Sequence, residues 1–62
     1  AMSDLQDRLV VLSGRSNREA WLQLQRYSDH PNFDQLLRHL ERVEGALREQ
    51  DIEHAVRLYV RT

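Results

Sequence analysis

The three histidines are the only imidazoles in the chain, and one of them follows a carboxylate at a spacing used in metal centres. Asp51 and His54 have the carboxylate-x-x-His spacing with which di-metal helical bundles direct two ligands inward. A dimer would duplicate this motif, but Glu41 lies off the predicted apolar stripe and only Glu44 lies near it. The sequence therefore predicts no metal or other cofactor, and we expect His54 to be solvated or to cap a helix.

The hydroxyl side chains favour a structural role over catalysis. The serines lie at predicted helix ends or turns, where a hydroxyl caps free backbone groups: they are Ser3, Ser13, Ser16 and Ser28. No serine, histidine and aspartate follow the order, with a glycine elbow, that nucleophilic hydrolases use. Gly14 and Gly45 stand alone, so no glycine-rich phosphate loop is present. We expect a protein that is not an enzyme, since a substrate pocket would consume much of a small core.

Composition excludes several further classes of site. The chain has 62 residues, of which 40% are hydrophobic and 31% are charged, and its net charge is −1. Cysteine is absent, which removes thiol catalysis, disulfides and cysteine-ligated metal sites. A domain of this size buries only about 60% of the surface that its unfolded chain exposes, so a second chain would add useful stability. We expect one small domain that spans residues 1–62.

The sequence contains no segment that resembles a membrane anchor. Its longest apolar run, residues 9–12, is far shorter than the ~20 residues that a membrane helix needs. Asp4 and Asp7 also differ from the basic start of a signal peptide. These features predict no membrane contact, and the absence of cysteine fits a reducing compartment, so we expect a cytoplasmic protein. We interpret Ala1 ahead of Met2 as a vector remnant before a native start, with an excised domain as the alternative.

Residues 20–49 offer the best case for nucleic-acid binding, as a helix-turn-helix that presents Arg38, His39 and Arg42 to DNA. The charges argue against it, because Asp34 would lie in the first turn of the recognition helix, where phosphates should bind. Acid-first pairs at i, i+4 indicate a solvated helix face: Asp34/Arg38, Glu44/Arg48 and Glu53/Arg57. The charge pattern disfavours nucleic acid as a partner, and a DNA- or RNA-associated regulator stays the alternative function.

The chain begins with an amphipathic helical pattern. Ser3 and Gln6 have the spacing of a capping box, and an apolar stripe follows, which predicts a first helix over residues 4–13. Gly14 interrupts this pattern and is expected to end the helix. The alternative is one long helix through Gly14, because a central glycine costs only about 1 kcal/mol relative to alanine.

A second helix and a chain reversal follow. Ser16 and Glu19 repeat the capping spacing, which predicts a helix over residues 17–28. Pro31 disfavours helical backbone in the residue before it, and Asn32 is able to cap the helix that comes next. We therefore expect the chain to reverse direction near Pro31.

The second half predicts either two helices or one long helix. An apolar stripe predicts a third helix over residues 33–49, after which Asp51 caps a last helix. In the alternative, the third helix continues to the end of the chain. Residues at seven-residue intervals suggest an a/d seam for bundle packing: Phe33, Leu36, Leu40, Val43 and Leu47. The expected fold class is all-α, as a helical hairpin or three to four short helices that reverse near Pro31 and form a dimeric bundle.

The apolar stripes of these helices predict the core. Its expected members are Leu5, Leu9, Leu12, Ala20, Leu24, Tyr27, Phe33, Leu36, Leu37, Leu40, Val43, Leu47, Ile52, Ala55, Val56 and Tyr59.

Four large apolar side chains are left off the stripes, namely Val10, Val11, Leu22 and Leu58. Burying one of them fully would contribute roughly 1.5–3 kcal/mol, and a second copy of the chain is the simplest cover. Trp21, on the flank of its stripe, joins them as a candidate interface residue because tryptophan is enriched at binding hot spots. We expect a homodimer that binds another protein, as a docking domain, adaptor, regulator or export chaperone.

Overall fold

The computed structural model describes residues 3–60, which form four helices. They are α1 (Ser3–Arg15), α2 (Arg18–Gln25), α3 (Phe33–Glu41) and α4 (Glu49–Tyr59). No strand occurs within these residues, so the all-α class is confirmed in its four-helix form. None of the described helices is long and apolar enough to cross a membrane. Ala1, Met2 and the side chain of Ser3 lie outside the described part, as do the expectations that rest on them.

The first helix is longer than predicted, because Gly14 lies inside it rather than at its end. A side chain at Gly14 would meet nothing within 4 Å, so this glycine serves no close contact and costs the helix only its backbone freedom. The chain leaves helical geometry two residues later, at Ser16 and Asn17. The expected break is thus present but displaced, and one continuous helix is wrong.

Asn17, rather than Ser16, caps the second helix. The Asn17 side-chain oxygen accepts a hydrogen bond from the Ala20 amide at 2.7 Å, while the Ser16 hydroxyl donates backwards to the Ser13 carbonyl at 3.3 Å. The helix ends at Gln25 instead of residue 28, because tighter i→i−3 backbone bonds take over from Arg26 onwards. The residue that caps α2 is therefore Asn17, one position after the Ser16 that the spacing indicated.

The reversal near Pro31 is confirmed, but Asn32 does not cap α3 with its side chain. Its side-chain amide instead donates to the Tyr59 carbonyl at 2.6 Å, and its backbone amide donates to Nδ1 of His30 at 3.0 Å. These bonds hold the α2–α3 connection against the last turn of α4.

The third helix ends at Glu41, so the predictions of a helix to residue 49, or to the end of the chain, are wrong. The heptad interpretation fails with them, since Val43 and Leu47 lie in the connection between α3 and α4. Gly45 in this connection has a φ of +82°, a left-handed conformation that side chains other than glycine strongly disfavour.

The last helix begins at Glu49, two residues before Asp51, the residue expected to precede the helix as its cap. Asp51 still serves the helix start, because its carboxylate accepts a hydrogen bond from the Arg48 backbone amide at 2.8 Å. It does so from inside the first turn, the position of the acidic residue in a capping box.

A short parallel β-bridge joins the connection between α1 and α2 to the connection between α3 and α4. Ser16 pairs with Leu47: the Leu47 amide donates to the Arg15 carbonyl at 2.9 Å, and the Asn17 amide donates to the Leu47 carbonyl at 3.4 Å. The Arg15 guanidinium also donates to the carbonyls of Val43 and Gly45, the latter at 3.0 Å. The α1–α2 corner therefore holds the α3–α4 connection in place.

The helices enclose one core. The fourth helix packs against α2 and α3, while α1 packs against α3. Eleven of the predicted core residues are buried: Leu12, Ala20, Leu24, Phe33, Leu36, Leu37, Leu40, Leu47, Ile52, Ala55 and Val56. Partly buried apolar residues surround them: Leu9, Trp21, Tyr27, Val43, Tyr59 and Val60.

Leu5 does not belong to the core, since it is 43% exposed. It shares a face of α1 with Leu9 and Leu12, but burial decreases along that face from the fully buried Leu12 to the partly buried Leu9. The prediction for Leu5 is wrong because the periodicity gives the direction of a side chain and not the extent of the core.

The two glycines provide a matched test of the backbone. We expect Gly45→Ala to destabilise the protein by about 1–2 kcal/mol, because alanine must adopt a positive φ there. Gly14→Ala should stabilise it by about 0.4–1 kcal/mol, because that position is helical and open. Urea unfolding followed by circular dichroism measures both, and equal effects of the two substitutions would contradict this placement of the glycines.

Candidate protein-interaction surface

Arg8 forms the main charged cluster of the molecule, between α1 and α3. Its guanidinium donates to Asp34 at 2.8 Å and to Glu41 at 2.8 Å, and Arg38 makes a second ion pair with Asp34 at 3.0 Å. The bonds from Glu41 and Asp34 raise the pKa of Arg8 above its ordinary value, and the bond from Arg8 lowers the pKa of Asp34. The cluster joins two helices and uses two of the acidic groups of α3.

Sequence reasoning missed this cluster. It assigned Asp34 to a local pair with Arg38, which is present, but Arg8 lies 26 residues from Asp34 and 33 from Glu41. The other two expected pairs, Glu44/Arg48 and Glu53/Arg57, are not among the ion pairs of residues 3–60. A helical projection places Arg8 beside the apolar stripe of α1, but only the packing of α1 on α3 identifies its partners.

Two of the three imidazoles, those of His39 and His54, form a small aromatic group with Tyr59 between α3 and α4. The His39 ring lies 5.6 Å from the His54 ring and 5.6 Å from the Tyr59 ring. Asp51, the carboxylate at metal-site spacing from His54, accepts a hydrogen bond from the Arg48 amide, and Glu41 pairs with Arg8. Within residues 3–60 no three histidine or carboxylate side chains are grouped as metal ligands would be.

The residues suggested for DNA contact do not form one exposed basic face. Arg38 pairs with Asp34, His39 is half-buried beside α4, and Arg42 follows the end of α3. The α2–α3 connection spans residues 26–32, which is longer than the three- to four-residue turn typical of a helix-turn-helix.

Two of the serine hydroxyls, those of Ser13 and Ser16, donate to nearby backbone carbonyls. Ser13 donates to the Val10 carbonyl at 2.8 Å, and Ser16 donates to the Ser13 carbonyl. Both bonds run back to a carbonyl three residues earlier, near the C-terminal end of α1. They serve the end of α1 rather than the start of a helix.

The side chains predicted to lie off the apolar stripes are exposed. Val10 is 65% exposed and Val11 60% exposed, side by side on α1, while Leu58 on α4 is 56% and Leu22 on α2 is 47% exposed. Trp21 differs from this group, because it packs partly buried against the core. The structure thus places exposed apolar side chains on three helices.

A groove between α2 and α4 contains one of these side chains. Its first hollow, of about 200 Å³, is lined by Glu19, Leu22, Gln23, Arg26 and Glu49. We call this hollow and the one that adjoins it at Gln23 the α2–α4 groove.

The second hollow of the α2–α4 groove has a volume of about 130 Å³ and is lined by Gln23, Tyr27, Glu53, Val56 and Arg57. The side-chain oxygen of Gln23 is buried between the two hollows and has no hydrogen-bond partner. A buried acceptor without a partner costs about 1–3 kcal/mol. One hydrogen-bond acceptor in the wall of the groove, the side-chain oxygen of Gln23, therefore has no partner within the described part of the chain.

The Arg8 cluster predicts a dependence of stability on pH. Because the pKa of Asp34 is lower in the folded chain, its stabilisation is present above the ordinary aspartate pKa of about 3.9 and is lost as the pH falls below it. Asp34→Asn should therefore lower stability at neutral pH and have a smaller effect in acid. Urea unfolding at a series of pH values measures this difference.

The control is the same substitution in an Arg8→Met background. There the Arg8 contact is already absent, so the pH-dependent part of the Asp34→Asn effect should shrink. An undiminished pH dependence without Arg8 would contradict the assignment of the pKa shift to that contact.

Comparison of the chain with protein-family models, with curated proteins and with solved structures finds no significant match.

Proposed function

We propose that this chain is a non-catalytic protein-interaction module that acts as a small helical homodimer, in the manner of a docking domain, adaptor, regulator or export chaperone. The observation that carries the proposal is the exposure of four large apolar side chains on a chain with so small a core: Val10, Val11, Leu22 and Leu58. Its partners would be a second copy of the chain and another protein.

Burial energetics support self-association. Complete burial of one such side chain contributes roughly 1.5–3 kcal/mol, so covering the exposed half of it contributes about half as much. In a symmetric dimer each covered residue counts twice, since both chains present the same surface. Small domains have total stabilities of about 5–15 kcal/mol, so these contributions are a considerable part of what holds such a protein folded.

The size of the hollows supports binding of a protein surface over enclosure of a small molecule. Sites for drug-sized ligands commonly measure about 300–1,000 Å³. The two hollows of the α2–α4 groove measure about 200 and 130 Å³. Shallow depressions with an apolar side chain among charged ones resemble the mixed surface of a protein interface.

Sedimentation equilibrium at tens of micromolar tests the proposal. We expect a species of twice the chain mass that dissociates on dilution, and a monomer at every concentration would contradict the proposal. Leu22→Glu or Leu58→Glu should weaken the dimer, because a buried carboxylate without a partner is strongly unfavourable.

Gln25→Glu is the matched control for these substitutions. Gln25 is exposed on α2, so the same added charge should leave the mass unchanged. Unchanged mass in both leucine variants as well would show that neither residue is covered in the assembly.

A further inference from the structure

Two imidazoles from different helices lie side by side where α3 packs on α4. The ring centres of His39, in the last turn of α3, and His54, in α4, are 5.6 Å apart, with an angle of 51° between the ring planes. His39 also contacts the Tyr59 ring edge-on at 5.6 Å, which limits the positions that the His39 ring can take. The packing of the two helices therefore holds both imidazoles in one place.

The ring nitrogens of this pair are not used by the chain itself. Among residues 3–60, the imidazole that takes part in a hydrogen bond is that of His30, whose Nδ1 accepts from the Asn32 amide, and no carboxylate there pairs with a histidine. His54 is exposed, and the buried side-chain atom without a partner in these residues is the Gln23 oxygen rather than a nitrogen of the half-buried His39. Solvent therefore reaches the nitrogens of both rings, and an ion from solution can do the same.

The separation of the two rings fits two imidazoles bound to one metal ion. A zinc–nitrogen bond of about 2.0–2.1 Å places the ion about 3 Å from the centre of each ring. At a tetrahedral angle, the two ring centres are then about 5 Å apart, which is close to the 5.6 Å between His39 and His54. Aromatic packing alone also gives such distances, so the argument depends on the separation together with the free, solvated nitrogens.

We propose that His39 and His54 together bind a divalent transition-metal ion of the class that prefers imidazole, Zn²⁺ or Cu²⁺, with water completing its coordination. The site has two protein ligands, because no three histidine or carboxylate side chains of residues 3–60 are grouped for metal binding. The ion therefore exchanges with solution and is not a permanent part of the fold. This inference is independent of the proposed homodimer.

The second imidazole comes from a contact that the sequence does not reveal. Along the chain, the nearest candidate ligand to His54 is Asp51, whose carboxylate accepts a hydrogen bond from the Arg48 amide. The partner that the structure provides is His39, on the preceding helix. Because the two rings meet when α3 packs on α4, the ion binds the folded chain more tightly than the unfolded chain and raises the free energy of unfolding.

A Zn²⁺ titration of the intact chain, followed through the nuclear magnetic resonance signals of the imidazole rings, tests the proposal. The signals of His39 and His54 should shift together, with one midpoint and one ion per chain, while His30 serves as an internal control and does not follow them. Mg²⁺, which prefers oxygen ligands, should shift neither ring. Separate midpoints for His39 and His54, or an equal response of all three imidazoles, would overturn the proposal.

Substitution of each ligand provides a second measurement. His39→Gln and His54→Gln should each weaken Zn²⁺ binding by about 100-fold in isothermal titration calorimetry, because a single imidazole loses the advantage of two linked ligands. His30→Gln is the matched control and should leave the affinity unchanged. His54 is exposed, so its substitution should leave the helices intact, which circular dichroism verifies. Unchanged affinity in His39→Gln or His54→Gln would overturn the proposed pair.

The urea midpoint and the mass of the complex complete the test. Zn²⁺ should raise the urea midpoint of the original chain and leave that of His54→Gln unchanged. An association driven by Zn²⁺, with one ion for two chains in sedimentation equilibrium, would overturn the site within one chain and place the ion between copies. A monomeric chain that binds one ion would overturn the homodimer and leave this site standing.

Discussion

The parallel bridge between Ser16 and Leu47 determines how the rest of the chain is arranged. It joins two connections that are distant in sequence, and Arg15 reinforces it by donating to the carbonyl of Gly45. Leu47, one of the two bridge residues, is fully buried, although it belongs to no helix. Because the bridge lies just before α2 and just before α4, both helices start from the same end of the molecule, and the α2–α4 groove is the space between them.

The surface between α1 and α3 and the α2–α4 groove differ in whether their charged side chains form ion pairs within the chain. Between α1 and α3, Arg8 neutralises Asp34 and Glu41 across helices. In the α2–α4 groove, acidic and basic side chains remain without intrachain ion pairs among the described residues, around the exposed Leu22.

The local pattern of the sequence predicted most of the core, the reversal at Pro31 and the exposure of Leu22, because all three follow from the 3.6-residue period and from proline geometry. It failed where a contact distant in sequence overrides the pattern. Leu47 is in phase with α3 yet is held by Arg15, so the predicted helix was too long. The groove and the Arg8 cluster were not predictable because they depend on which helices become neighbours.

Isotope-filtered nuclear Overhauser measurements on a mixture of labelled and unlabelled chains test the central claim most directly. The proposed homodimer predicts contacts between copies from the methyl groups of one or more of the exposed side chains Val10, Val11, Leu22 and Leu58. The complete absence of contacts between copies at concentrations of a few hundred micromolar would contradict it.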